Sequence, residues 1–177
     1  MTTTAAIPTD DFSQCHLSII QHFEQLRQLG KTDIPDPVPS NIQTTAKNLV
    51  AFYHEVVLNH HHEEEQELFN IVMDCASPGD ELHNASLMIK RLTGEHRSLE
   101  KEWKSLEPDL KKLAKGHPAK LDKNAALGMA DHYLLHAKYE ESFFLPLAAE
   151  ILKNTDLESL GLSLHTRHNI DQTACYI

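Results

Sequence analysis

The chain has 177 residues, of which 41% are hydrophobic and 6% aromatic, enough for one globular domain with a sizeable core. A net charge of −10 argues against nucleic acid and anionic membrane surfaces as main partners. No apolar run approaches the ~20 residues of a membrane span.

The punctuation of the chain predicts helices. Thr9, Asp10 and Asp11 offer N-caps and Gly30 a C′ residue, so a first helix is expected over about 10–29. Pro35, Pro37 and Pro39 make an extended connection. Ser40 or Asn41 can cap a long second helix that runs to about Ala76, where Ser77-Pro78-Gly79 stops it. A third helix is expected over about 80–107, ended or kinked by Pro108. A fourth follows over about 119–153 with Pro146 inside it, and a short fifth over about 156–168. No alternating Val/Ile/Thr run suggests a strand. The expected fold is an all-α, up-and-down antiparallel four-helix bundle over about 10–153, with a short C-terminal helix, in a single domain 1–177.

Histidine is the compositional outlier, with 13 residues, and it occurs in a duplicated pattern. His60 and Glu64 are four apart on the second helix, and His136 and Glu140 are four apart on the fourth. That spacing puts an imidazole and a carboxylate on one helix face. The first and third helices carry a second duplication: His16, Ile19, Phe23, Leu26 beside His96, Leu99, Trp103, Leu106. On the fourth helix Met129, Tyr133, His136, Glu140, Phe143 and Leu147 read as one inward seam.

In the run His60-His61-His62-Glu63-Glu64-Glu65, both His60/Glu64 and His61/Glu65 have the right spacing. At about 100° per residue, His60 and Glu64 fall on the stripe of Leu49, Tyr53, Val56, Leu68 and Ile71, whereas His61 and Glu65 fall towards its edge or outside. His60 and Glu64 are therefore the expected pair, with His61/Glu65 and Glu141 as alternatives. His132 lies one turn before His136 and is expected to line the bundle end. His22 is expected in packing or at the surface, and His54, His83, His117, His165 and His168 at the surface. Cys15, Cys75 and Cys175 are far apart and form no CxxC, which fits a reduced, cytoplasmic setting; the N-terminus does not read as a signal peptide.

Four seam histidines and two seam carboxylates at one depth call for a cation, because unpaired buried carboxylates cost several kcal/mol or take up protons. Nitrogen and carboxylate donors without cysteine suit iron, manganese or zinc. Six ligands exceed one tetrahedral zinc and suit two six-coordinate ions with bridging carboxylates. Such a count leaves room for an outside ligand such as O₂, peroxide or NO. The Glu-x-x-His signature of ferritin-type bundles and the His-Glu-x-x-His of zinc proteases are both absent.

The ordered set of His16, His60-x-x-x-Glu64, Glu95-His96 and His136-x-x-x-Glu140, with Phe-Leu-Pro following, resembles the hemerythrin-like (HHE cation-binding) domain over about 10–153. The resemblance implies a non-haem di-iron centre, two iron ions joined by an oxo or hydroxo group, with His16, His60, Glu64, His96, His136 and Glu140 as ligands and Glu64 and Glu140 bridging. Within the family, four His and two Glu resemble the di-iron proteins of iron–sulfur cluster repair and nitrosative stress. Oxygen-carrying hemerythrins usually have five His, and Leu92 stands where the fifth would be. The implied function is to bind or react with O₂, NO or peroxide in stress response or iron handling, with a redox partner protein as a further expected partner; the alternative is a non-catalytic O₂ or NO carrier or sensor. Tyr53, Trp103, Tyr133 and Phe143 are candidates for shaping access to the metals.

Overall fold

In the computed structural model, residues 8–153 are described. They form four long helices: α1 (Pro8–Lys31), α2 (residues 40–75), α3 (Asp80–Ala114) and α4 (residues 123–152). No strand occurs among the described residues. The expected fifth helix, His165, His168 and Cys175 lie outside them.

Side-chain pairs fix the helix directions. Arg27 meets Asp131 at 2.5 Å and Ser13 meets Glu141 at 2.8 Å, so α1 and α4 run antiparallel. His54 with Glu107, and Glu65 with Arg97, set α2 against α3 in the same way. His132–Glu102 at 2.8 Å and His136–Glu95 at 3.0 Å do so for α3 and α4. The bundle is thus up-and-down, as the short connections require.

Four local expectations change. Gly30 does not end α1 in a left-handed turn, since the helix continues to Lys31. A Cβ there would meet the Ala126 Cβ at 3.0 Å, so Gly30 lets α1 and α4 approach closely. Pro39, rather than Ser40 or Asn41, occupies the cap position of α2; its φ of −63° is pre-set, and its carbonyl accepts the Gln43 N–H at 3.0 Å. Helix α3 runs through Pro108 to Ala114, because Leu110 and Leu113 beyond it are fully buried and their packing outweighs one lost backbone bond. Helix α4 starts at Lys123 rather than 119, with the Asp122 carboxylate accepting the Ala125 N–H at 3.0 Å.

The largest departure from regular α-geometry concerns three wide turns of π-helix. They span Tyr53–Val57 and Glu64–Leu68 in α2 and Glu140–Phe144 in α4. A π-turn accommodates one extra residue and turns everything beyond it by about 100° relative to an unbroken α-helix. In α4 this moves Phe144 and Leu145 into the core and leaves Phe143, expected in the seam, 56% exposed. Pro146, which has no N–H to donate, lies two residues after that turn.

Two apolar clusters form the core. One holds Leu26, Leu49, Trp103 and Met129; the other holds Leu68, Leu92, Phe144 and Leu152. Along α2, α3 and α4 the site residues lie between them: His60 to Glu64 follow Val57 and precede Leu68, His96 lies between Leu92 and Leu99, and His136 and Glu140 precede Phe144.

Candidate metal centre

Seven polar residues are buried among the described residues: His16, His60, His61, Glu64, His96, His136 and Glu140. Six of them are the residues singled out from sequence, and all six converge. The seventh, His61, is buried although its α-helical phase pointed outward. The π-turn at Tyr53–Val57 supplies the reason, because it turns His61 to the phase that His60 would otherwise hold relative to Tyr53.

The donor atoms fall into two groups, within each of which they lie no more than 4.8 Å apart. One comprises His16, His60, Glu64 and Glu140; the other comprises His61, His96 and His136. Glu64 spans them. Its Oε1 lies 3.2 Å from His60 Nε2 and 3.8 Å from His16 Nε2, while its Oε2 lies 3.3 Å from His96 Nε2. Glu140 does likewise, with Oε2 at 2.8 Å from His16 Nε2 and 3.5 Å from His136 Nε2. Each carboxylate is the first residue of a π-turn.

Despite these short separations, the angles are not those of hydrogen bonds. Nε2 of His16, His96 and His136 and both oxygens of Glu64 and Glu140 are buried with no hydrogen-bond partner among the described residues. On each of these three rings the other nitrogen faces a carboxylate: Nδ1 of His16 lies 2.7 Å from Glu141, that of His96 2.8 Å from Glu65, and that of His136 3.0 Å from Glu95. With Nδ1–H donating outward, Nε2 presents a lone pair to carboxylate oxygens that also carry lone pairs. Acceptors aimed at acceptors in a buried pocket need positive charge between them, supplied by shared protons in the metal-free pocket or by a bound cation.

The charge balance agrees. Burial would lower the His16 pKa, but contacts with Glu140 and Glu141, aided by the charges of Glu140 and Glu64, raise it to about 10. Burial and the Glu140 charge push Glu64 up. For Glu140, burial works upward, but His136, His16 and His96 outweigh it and bring the pKa down. Burial, then neighbouring histidines, hold His60 and His61 well below the usual imidazole value, so both rings offer neutral donors. The pocket draws positive charge and supplies lone pairs.

The hemerythrin HHE cation-binding domain model matches residues 7–148. The chain belongs to the hemerythrin HHE cation-binding family. No curated protein and no solved structure matches it. Membership agrees with the helical bundle and with two His/Glu groups able to hold metal at its core. No helix among the described residues is long and apolar enough to cross a membrane.

The remaining candidates separate clearly on this HHE bundle. Glu65 and Glu141, the alternative carboxylates, approach the Nδ1 side of histidines. His132 reaches Glu102 on α3. His22 stacks on Phe52 at 3.4 Å, and His54 pairs with Glu107. Tyr133 lies against the centre, with its hydroxyl 3.5 Å from His61 Nε2. Tyr53 and Trp103 stack on each other at 4.0 Å within the cluster that holds Leu26, Leu49 and Met129.

Proposed function

We propose that this chain is a non-haem di-iron protein that binds or reacts with O₂, NO or peroxide, in redox or nitrosative stress or in iron handling, in the cytoplasm. The observation that carries the reading is the division of seven buried donors into two groups spanned by Glu64, with Glu140 reaching His16 and His136 across them. His16, His60, Glu64 and Glu140 would hold one iron. His61, His96 and His136, with the second faces of the two carboxylates, would hold the other. An iron pair held there would supply redox equivalents and a coordination position for a small ligand. The protein's own part is to fix the donors on four helices and to keep bulk water out with Leu92, Phe144 and Tyr133, all fully buried.

The two donor groups differ, three imidazoles against two. With both carboxylates shared, the ion held by His16 and His60 would have fewer protein donors, and an outside ligand would bind there. His61 favours a second reading, reversible carriage of O₂ or NO, since it raises the histidine count to five from a helix other than the one carrying Leu92. Optical spectra of the iron-loaded protein, aerobic and anaerobic, followed by stopped-flow mixing with NO and with peroxide, separate the readings. Turnover supports a reactive role, a reversible spectral change supports carriage, and a protein that takes up no iron refutes both.

A further inference from the structure

We propose that Glu65, Glu95 and Glu141 are positioning residues for the metal centre, each bracing a ligand histidine that belongs to the next helix round the bundle. The inference rests on the di-iron reading for its function, but its geometry stands alone. Glu65 on α2 takes Nδ1 of His96 on α3 at 2.8 Å. Glu95 on α3 takes Nδ1 of His136 on α4 at 3.0 Å. Glu141 on α4 takes Nδ1 of His16 on α1 at 2.7 Å. The order α2 to α3, α3 to α4, α4 to α1 runs in one sense.

Each brace also uses its second oxygen. Arg97 holds Oε2 of Glu65, Arg91 Nε holds Oε1 of Glu95 at 2.8 Å, and the Ser13 hydroxyl donates to Oε2 of Glu141 at 2.8 Å. Arg91 is placed in turn by lying 3.6 Å over the Tyr139 ring. The three carboxylates are 13%, 19% and 37% exposed, so their outer oxygens meet the surface while their inner ones face imidazoles that are at most 1% exposed. An ordinary surface ion pair has little effect on stability. These are different, because the partner ring is buried and its other nitrogen is aimed at the centre. A brace fixes the tautomer and the ring angle, and it raises the donor strength of Nε2.

The sequence carries a trace of this arrangement. Glu65 and Glu141 directly follow Glu64 and Glu140, and Glu95 directly precedes His96. Neighbours on a helix point about 100° apart. One residue of each pair can therefore face the metals while the other reaches across to the adjacent helix.

The test uses the full chain loaded with zinc, a diamagnetic probe, and compares wild type with Glu95→Gln and Glu95→Ala. Zinc affinity is measured by chelator competition, and the Nδ1–H proton of His136 by NMR of histidine-labelled protein. Glu95→Ala should weaken zinc about 10–100-fold, the usual effect of losing such a partner, and should lose the shifted, slowly exchanging Nδ1–H signal. Glu95→Gln keeps an acceptor oxygen and should recover the signal and most of the affinity. Wild-type affinity and an unchanged Nδ1–H signal in Glu95→Ala would overturn the proposal. If Glu95→Ala does not fold, Glu95→Gln still decides, since loss of the Nδ1–H signal in that folded variant would also overturn it. A wild-type chain that binds no metal would defeat the di-iron reading, and the same signal in metal-free protein would still test the brace.

Discussion

Replacing His61 by Leu separates a metal ligand from a core residue. His61 is buried and its Nδ1 has no partner among the described residues. Its Nε2 lies 3.5 Å from the Tyr133 hydroxyl, the outer limit of a hydrogen bond. Leucine removes the unpartnered nitrogen, a relief of about 1–3 kcal/mol, and gives up the long contact and a satisfied Tyr133 hydroxyl, a cost of similar size. The net change in metal-free protein is expected within about 1 kcal/mol of zero, a melting shift of no more than about 2–4 °C. Metal-loaded protein should behave differently. Loss of one imidazole from a group of three should weaken its ion by at least the 10–100-fold seen when only an outer partner is lost. A 100-fold loss removes about 2.7 kcal/mol of metal-dependent stability. Urea unfolding of wild type and variant, each with chelator and with metal, measures both quantities. Equal destabilisation under the two conditions would refute the reasoning, since it would make His61 a packing residue.

Other consequences of the structure can be checked by the same unfolding measurements. Gly30→Ala gains helix propensity of about 1 kcal/mol, but its Cβ meets Ala126 at 3.0 Å; overpacking of about 1–3 kcal/mol should make the net change destabilising. Pro108→Ala restores a backbone donor in mid-helix and should stabilise by up to about 3 kcal/mol; an unchanged urea midpoint would contradict this. Deleting Glu55, an exposed residue in the π-turn Tyr53–Val57, should convert that turn to α-helix and leave His61 in place, with the metal count unchanged. Deleting exposed Lys90 in α3, whose helix has no such turn, should rotate His96 out of register and abolish metal binding.

The bundle was legible because its inward residues recur at helical spacing. His16 with Ile19 and Phe23, and Leu92 through Leu106 with His96 among them, are buried as their phase requires. His61 and Phe143 were misplaced for one shared reason, the assumption of 100° per residue throughout. The contrary signal lay in the sequence. Phe52, Val56, His60, Glu64, Leu68 and Val72, all buried, recur every four residues. Five such steps drift by about 200° on an α-helix, so the stripe holds one face only if about two extra residues are taken up on the way. The two π-turns of α2 take them up. Pro108 misled in the opposite direction, because its local cost is visible in sequence while the burial of Leu110 and Leu113 is a tertiary fact. Glu65, Glu95 and Glu141 were visible only as neighbours of the proposed ligands, since the histidines they meet lie on other helices.

The most direct test of the central claim is the stoichiometry of metal binding to the full chain. Purified metal-free protein is titrated anaerobically with ferrous iron, and bound iron per chain is measured after removal of the excess. Two groups of buried donors sharing Glu64 and Glu140 predict two iron ions per wild-type chain, with loss of paired binding in Glu64→Ala and Glu140→Ala. A single tightly bound ion per chain, or two ions retained in both variants, would contradict the account.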